Sequence, residues 1–298
     1  MDRLKLLATK LLRDSHCDAV AVGLLDFNNH TFHCFEVMEG DIDSHTEGIY
    51  FDLASLTKPL TNSFVHIANN INDPKLELLL NHRAGLPSWG LLSTSNWKEQ
   101  LLSYPIKESE TNYSDFSANR YMLEVEKQLD QSYPDIVYKN FAGQIYNWLT
   151  LPESKVVLQN GYYVGKANFG KVHDPNAYNI KEFMSHAGLF GTIESVCRAL
   201  VEFDKEYDLL GKMDIPSPYR FFNGFDTVAN PDSTLAGAGC GPHTFGHLGF
   251  TGTSFWIDPS KKVGHVILTN STKYHWFSKK ELNQFRRELG EKVWADQT

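Results

Sequence analysis

The chain is poor in cysteine, has no long apolar run and carries no excess of positive charge, and each shortage excludes a class of protein. Its four cysteines, with no C-x-x-C pair among them, argue against a disulfide framework or a zinc site and are interpreted as reduced thiols. No apolar run reaches the ~18 residues that a helix needs to cross a bilayer, so no membrane span is expected. The formal net charge of −8 gives no reason to expect nucleic-acid binding.

The first residues also lack the apolar segment of a secretory leader. Residues 2–14 instead combine charges with leucines at helical spacing, which predicts an amphipathic helix. We therefore expect a cytoplasmic protein, or a periplasmic one if a leader has been removed. Nothing in the sequence indicates an oligomeric state.

What is present is a hydrophobic content of 42%, which suits a large core, and a clear order of patterns along the chain. Strand patterns lie at both ends: a hairpin over 18–37 and paired strands over 250–258 and 263–269. Helices are predicted over 56–70, 75–84, 96–104, 117–131, 138–149, 193–208 and 277–294, with loops over 155–183 and connections over 211–245.

Because a sheet is completed only if the strands of the two ends pair, the order predicts an α/β (α+β) fold. We expect an antiparallel sheet built from N- and C-terminal strands, flanked by the terminal helices, with an all-helical insertion subdomain. One domain over 1–298 would then consist of an α/β part, 1–54 and 186–298, and a mainly helical part, 55–185. Ser55 lies at the seam between the two parts, where pockets concentrate.

Ser55 and Lys58 form a Ser-x-x-Lys pattern at a predicted helix start. Residues three apart on a helix share a face, so Lys58 is expected beside the Ser55 hydroxyl, where a partly desolvated amine can accept or relay its proton. Backbone N–H groups at a helix N-terminus favour the negative charge of an acyl oxyanion. The pattern therefore indicates an activated nucleophile.

The same pattern occurs a second time, at Ser95 and Lys98, so it is not specific by itself. Ser95 lies in a polar run directly before a predicted helix, with Glu99 three residues after Asn96. A serine or asparagine in that place is better interpreted as an N-cap. Ser55 instead follows apolar residues and precedes a mostly apolar run, which predicts partial enclosure.

Three ordered segments carry a family resemblance. Ser55-Leu56-Thr57-Lys58, Tyr113-Ser114-Asp115 and His247-Leu248-Gly249 resemble the motifs of the serine β-lactamase and penicillin-binding protein superfamily, in particular its class C-like branch of esterases and peptidases. Residues 79–87, 172–177, 185–190 and 246–253 are similar to further patterns of that branch. The resemblance covers nearly the whole chain from about residue 18 and implies a β-lactamase/transpeptidase-like fold.

The resemblance implies roles for individual residues. Ser55 would be the acylated nucleophile and Lys58 its proton partner. Tyr113 matches a tyrosine that acts as general base or proton relay, although with a reference pKa near 10 it depends on a nearby lysine. No metal or cofactor is implied.

Substrate-binding roles follow from the third segment. The backbone N–H groups of Ser55 and Phe250 would form the oxyanion hole, the second because it follows the His247–Gly249 triplet on an edge strand. His247 would supply a donor or a cation to the substrate.

Two positions depart from the family pattern. Asp115 stands where asparagine is common, and its negative charge favours the ammonium form of Lys58, which weakens it as a base but holds it in place. Leu248 stands where a threonine or serine hydroxyl often binds a carboxylate. The loss of that hydroxyl argues against efficient β-lactam hydrolysis and favours esters or amides with a less polar acyl group.

Other polar residues have simpler interpretations. His186 has no neighbour at H-x-H or H-x-x-x-H spacing, so a structural role is favoured over a metal site. His82 is interpreted as a cation at a helix C-terminus. Trp89, Trp97 and Trp148 fit either a pocket lining or the core.

We therefore expect a serine hydrolase that acts through a Ser55 acyl-enzyme on a small-molecule ester, amide or peptide. The alternative is a catalytically weak or silent relative that binds cell-wall peptide or a protein partner in the same cleft, which Asp115 and Leu248 favour. A peptidoglycan D,D-peptidase is a third possibility that requires export from the cytoplasm.

Overall fold

The computed structural model describes residues 1–40, 48–141, 144–229, 232, 234–274 and 279–295. The strands are β1 (Ala19–Asp26), β2 (Thr31–Met38), β3 (Phe51–Asp52), β4 (Tyr146–Asn147), β5 (Gln159–Tyr163), β6 (Lys166–Phe169), β7 (Leu189–Gly191), β8 (Phe221–Phe222), β9 (Phe225–Thr227), β10 (Phe245–Leu248), β11 (Ser254–Asp258) and β12 (Val263–Thr269). The helices are α1 (Asp2–Asp14), α2 (Phe64–Ala68), α3 (Pro74–Leu80), α4 (Trp97–Leu102), α5 (Asp115–Leu129), α6 (Tyr133–Tyr138), α7 (Pro175–Ile180), α8 (Ile193–Tyr207), α9 (Leu209–Met213) and α10 (Lys280–Ala295).

The two ends of the chain build one antiparallel sheet with the strand order β2-β1-β12-β11-β10-β9-β8. β1 pairs with β2 on one side and with β12 on the other, so the N- and C-terminal strands are direct neighbours. Because β1 and β12 are central strands with both faces covered, their apolar runs are buried almost throughout. The predicted antiparallel sheet is therefore confirmed.

Helices cover both faces of this sheet and create two cores. α1 and α10 pack on one face, around Leu4, Leu289 and Trp294. α8 packs on the other face, where the larger core continues into the helical middle of the chain. No helix in the described part of the chain is long and apolar enough to span a bilayer.

The middle of the chain is mostly helical but not wholly so. The predicted helix over 138–149 is wrong: α6 ends at Tyr138, and β4 follows because Tyr146 and Asn147 pair with β7. The loop predicted over 155–183 contains the hairpin β5–β6 and helix α7. Asp174 caps α7 by accepting a hydrogen bond from Ala177 N at 2.8 Å, a helix start that the sequence signalled and the prediction missed.

The segment 211–245, which was predicted to be a connection, also contains regular structure: α9 ends in it, and β8 and β9 lie within it. β9 pairs with β10 only at Phe245 and Gly246, while β11 pairs along the whole of β10. The prediction that β10 is an edge strand is therefore wrong. On the side of β9, however, His247 and Leu248 have no strand neighbour within the part of the chain that the structure describes. That stretch faces the cleft described below.

The predicted N-cap before α4 is also only partly realised. The helix begins at Trp97 with Asn96 at the cap position, yet the Asn96 side chain makes no capping hydrogen bond. The side chain of Trp97 is buried in the core.

Candidate active site

Ser55 lies in a tight turn directly after β3. The predicted helix over 56–70 is divided into a 3₁₀ turn at Ala54–Leu56, a π-helical turn at Pro59–Ser63 and α2, and Pro59 is tolerated because it begins the second of these turns. The buried carboxylate of Asp52 accepts a hydrogen bond from Ala54 N at 2.9 Å. Ala54 has a φ of 47°, a left-handed conformation that costs free energy in a residue other than glycine, so the turn that presents Ser55 is held by its surroundings.

Lys58 connects three parts of the site through one ammonium group. Its Nζ lies 3.0 Å from Ser55 Oγ, 2.7 Å from Asp115 Oδ1 and 3.1 Å from the backbone oxygen of His186. Burial is the largest single influence and lowers the pKa of Lys58, but Asp115 and Tyr113 together outweigh it, and the net pKa lies well above the usual value. Lys58 is therefore an ammonium ion in the resting protein.

Tyr113 completes the cluster from the loop before α5. The Lys58 ammonium lies 4.9 Å from the centre of its ring, and the hydroxyl is near enough to Lys58 and Ser55 for both to lower the pKa of the phenol. Burial raises the pKa of Tyr113 more than the neighbouring Lys58 lowers it, so the phenol is neutral. The structure thus brings together the hydroxyl, the amine and the phenol that the sequence predicted to meet.

His82 packs against the ring of Tyr113. Its ring lies 4.8 Å from the Tyr113 ring, and its Nδ1 accepts a hydrogen bond from Ser114 N at 3.2 Å. Burial and the nearby charge of Lys58 hold the pKa of His82 well below its usual value. The prediction of a cation at this helix end is wrong, because a buried histidine beside a lysine ammonium stays neutral.

His247 faces the opposite side of Tyr113, with ring centres 5.8 Å apart. Its Nδ1 lies 2.8 Å from the carbonyl oxygen of Leu248, so Nδ1 must carry the proton. Burial and Lys58 lower the pKa of His247 to about 3. The buried Nε2 atom, which has no hydrogen-bond partner among the described residues, is consequently an acceptor and not the donor or cation that the sequence suggested.

The turn after β10 is fastened to the turn that carries Ser55. Thr251 Oγ1 donates to Asp52 O at 2.7 Å, and Thr253 Oγ1 donates to Leu53 O at 3.0 Å. A Cβ atom at Gly249 would lie 2.9 Å from Leu53 O and closer still to the Thr253 hydroxyl, so only glycine permits this approach. The contact brings Phe250 to the mouth of the cleft beside Ser55.

Two cavities meet at this point, because Ser55, Tyr113 and Phe250 border both. The larger cavity, of about 770 Å³, has aromatic walls that include Trp89 and Tyr162, whose side chains are half exposed. The smaller cavity, of about 340 Å³, lies between β10 and the start of α10.

Two carboxylates and a histidine line the larger cavity. Asp174 Oδ1 lies 2.9 Å from His186 Nε2, and His186 Nδ1 lies 2.9 Å from Asn119 Nδ2. Burial raises the pKa of Asp174, but His186, the Ala177 N–H and Lys58 together outweigh it and hold the pKa at about 2. Asp115, Asp174 and His186 offer three possible metal-ligand atoms within 4.8 Å of one another. The two carboxylates, however, already pair with Lys58 and with His186.

Several residues of the cleft were not singled out by the sequence. Asp52 precedes Ser55 by three residues. Its carboxylate accepts hydrogen bonds from Ala54 N, Asn160 Nδ2 and His173 N, and only these contacts show that it supports the turn before Ser55. Asp174 lies in a segment that carried the resemblance, but its capping position was the only local signal of its orientation.

The family model described as "Beta-lactamase" matches residues 66–288, about three quarters of the chain. The chain belongs to the β-lactamase family. The matched residues begin after Ser55 and Lys58. The family match therefore does not depend on those two residues, and their geometry is a separate observation. A search of curated protein sequences found no significant match.

Solved structures share the fold of this β-lactamase family member at low sequence identity. A β-lactamase from Mycobacterium bovis, Mb2281c, is 16% identical with a TM-score of 0.60, covering 98% of this chain and 99% of its own. A mutant of the simvastatin synthase LovD from Aspergillus terreus is 11% identical with a TM-score of 0.68, covering 99% of this chain and 94% of its own. SurE, solved with D-Leu, is 14% identical with a TM-score of 0.65, covering 99% of this chain and 73% of its own. Identities this low establish the shared fold alone.

Proposed function

We propose that this β-lactamase family member is a serine hydrolase that acts through a Ser55 acyl-enzyme on an ester or amide. The observation that carries the proposal is the position of Ser55 Oγ, 3.0 Å from Lys58 Nζ and at the wall that two cavities share. A nucleophile needs a proton acceptor within hydrogen-bond reach and space for a substrate on both sides of the reacting carbonyl.

Acylation forms a bond between Ser55 Oγ and the substrate carbonyl carbon and breaks the bond to the leaving group. The serine proton moves to Lys58 or Tyr113. Since Lys58 is an ammonium ion and Tyr113 a neutral phenol, each already carries a proton. The acceptor therefore passes one proton to the leaving oxygen or nitrogen as it takes the serine proton, and the charge of the cluster does not change.

The negative charge on the carbonyl oxygen develops next to the backbone N–H groups of Ser55 and Phe250. The hydrogen bonds from Thr251 and Thr253 to the Ser55 turn keep these two segments at a fixed separation. Donors that are fixed before the reaction stabilise an oxyanion without reorganising, and one such donor is worth about 10²–10³ in rate. Water then attacks the acyl carbon, and the reversed proton transfer releases Ser55.

A second candidate, a silent relative that binds cell-wall peptide or a protein partner, is favoured by the Lys58–Asp115 ion pair. An ammonium held at 2.7 Å from a carboxylate is a poor base. According to this hypothesis, the same cleft binds a peptide without cleaving it.

A fluorophosphonate probe distinguishes the two candidates. Ser55 Oγ would displace fluoride from phosphorus, and intact mass spectrometry should show one adduct on the wild-type protein. Ser55→Ala should prevent the adduct, whereas Ser95→Ala, which removes the serine of the second Ser-x-x-Lys pattern, should not. The absence of an adduct together with measurable muropeptide binding would instead establish the silent relative.

A further inference from the structure

Two of the four free cysteines meet where a strand of the large sheet packs against a helix. Cys34 lies on β2 and Cys197 on α8, 163 residues apart in the sequence, yet their Sγ atoms are 3.8 Å from each other. A disulfide bond is about 2 Å long, so the two sulfur atoms have to approach by less than about 2 Å to be joined.

Gly23 provides the space in which the two thiols meet. In the pairing of β1 with β2, Gly23 is directly opposite Cys34, and opposite residues of an antiparallel pair share a face of the sheet. A Cβ atom at Gly23 would lie only 2.1 Å from Cys197 Sγ. The absence of a side chain at Gly23 therefore allows the Cys197 thiol to reach the sheet beside Cys34.

The two thiols differ in their access to solvent. Cys197 is fully buried in the larger core, and burial raises the pKa of its thiol well above the usual value. The side chain of Cys34 is only half-buried. A dissolved oxidant therefore reaches Cys34 first, and Cys197 reacts only with a group that Cys34 already carries.

The strand β2 is placed to make the small movement that a bond requires. It comes first in the strand order of the large sheet and pairs only with β1 among the described strands. A strand held on one side can shift without breaking a second ladder of hydrogen bonds. α8 is the fixed partner, since it packs against β1, β2 and β12 of the same sheet.

We propose that Cys34 and Cys197 are a reversible modification site, at which a small-molecule disulfide such as oxidised glutathione joins β2 to α8 through a disulfide bond. The Cys34 thiolate attacks one sulfur of the oxidant, and the glutathione thiolate that leaves takes up the proton lost by Cys34. Cys197 then loses its proton and attacks Cys34 Sγ, and the second glutathione leaves with that proton. The two cysteines together lose two electrons, and one oxidised glutathione becomes two thiols. The inference does not rest on the proposed hydrolase activity.

The bond closes a loop that contains the candidate active site. The chain between Cys34 and Cys197 includes Ser55, Lys58, Tyr113 and the mainly helical middle of the protein. A crosslink restricts the unfolded chain more strongly when the loop that it closes is long. Oxidation should therefore raise the melting temperature by about 5 °C.

Oxidised glutathione tests the site on the native full chain. The reduced wild type has four cysteines for iodoacetamide after denaturation, and the oxidised protein should have two. Its intact mass should fall by that of two hydrogen atoms, and peptide mapping without reductant should find the peptides of Cys34 and Cys197 joined. Dithiothreitol should restore all four thiols. A reaction that stops with glutathione on Cys34, or a disulfide between another pair, would overturn the proposal.

Matched variants locate the bond. Cys34→Ser and Cys197→Ala should each prevent the crosslink, and Cys34→Ser, at a half-buried position, gives a result even if Cys197→Ala does not fold. Cys17→Ser changes a buried cysteine of the other core and should form the crosslink as fast as the wild type. If Cys17→Ser prevents the crosslink, the assignment to Cys34 and Cys197 is refuted.

The melting temperature gives a second readout. Oxidised wild type should melt about 5 °C above the reduced protein, and dithiothreitol should remove the difference. Cys34→Ser treated with the same oxidant should melt at the temperature of its untreated form. Equal melting temperatures for the reduced and the completely crosslinked wild type would refute the stabilising effect of the bond.

Discussion

The ammonium of Lys58 lies between two oxygens, 2.7 Å from Asp115 Oδ1 and 3.0 Å from Ser55 Oγ. The contact with Asp115 favours the charged form of Lys58. Proton transfer from Ser55 instead requires a form of the site that can accept a proton. The side chain of Lys58 is 3% exposed and that of Asp115 18%, so solvent screens the pair little. In the proposed reaction, how readily Ser55 loses its proton therefore depends on how strongly Asp115 holds Lys58 in the charged form.

Asp115→Asn should leave more of Lys58 as the free amine, the form that can accept a proton, at neutral pH. Without the carboxylate, burial is the largest remaining influence and lowers the pKa of Lys58, which increases the fraction of free amine near pH 7. We expect the rising limb of the pH profile of kcat/KM to move to lower pH by at least about one unit. Glu108→Gln, which breaks the exposed Arg83–Glu108 pair, is the matched control. An unchanged profile would show that the charge of Lys58 does not limit the reaction.

Tyr113→Phe should slow acylation by about 10²-fold, because it removes a hydroxyl that lies beside both Ser55 and Lys58. The ring contacts with His82 and Phe221 remain, so the melting temperature should change little. The rate of adduct formation by the fluorophosphonate probe measures the effect. Tyr162→Phe, at an exposed tyrosine of the larger cavity, is the control. Equal labelling rates for the wild type and Tyr113→Phe would exclude a role for the phenol in proton transfer.

The sheet could be predicted because its strands carry local signals. The hairpin over β1 and β2 and the pair β11–β12 have apolar strand runs separated by turn residues, and the structure confirms both. The short strands of the middle part carry no such signal. Tyr146 and Asn147 are extended only because β7 offers them a partner, and that pairing depends on a segment more than forty residues away in the sequence.

The positions of the motif residues could also be predicted, but their charge states could not. A Ser-x-x-Lys spacing places an amine beside a hydroxyl whatever surrounds it. The neutral state of His82 and His247 instead follows from burial beside Lys58, which no spacing reveals.

Asp52→Asn should flatten the dependence of stability on pH. Burial raises the pKa of Asp52 from its usual value to about 6, against the three N–H donors that lower it. A group whose pKa is raised on folding stabilises the protein fully below its unfolded pKa, and this contribution is lost as the pH rises through about 6. Between pH 4 and pH 7 the wild type should therefore lose up to about 2–3 kcal/mol that the variant does not lose.

Urea unfolding at several pH values measures this difference. Asp26→Asn, at the end of β1, changes the same residue type away from the cleft and is the control. Parallel pH dependences for the wild type and Asp52→Asn would show that Asp52 does not change its protonation over this range.

Gly249→Ala should reduce kcat by about 10- to 100-fold while the protein stays folded, because the added Cβ pushes the turn after β10 away from Leu53 O, which it would approach to 2.9 Å. The same shift breaks the hydrogen bond from Thr253 Oγ1 to Leu53 O. Thr253→Ser keeps that hydroxyl and the original space, so its kcat should stay close to that of the wild type. Ester hydrolysis and thermal unfolding are measured on both variants. A kcat of Gly249→Ala equal to that of the wild type would mean that Phe250 N–H does not stabilise the oxyanion, since the donor cannot keep its position when the turn that carries it is displaced.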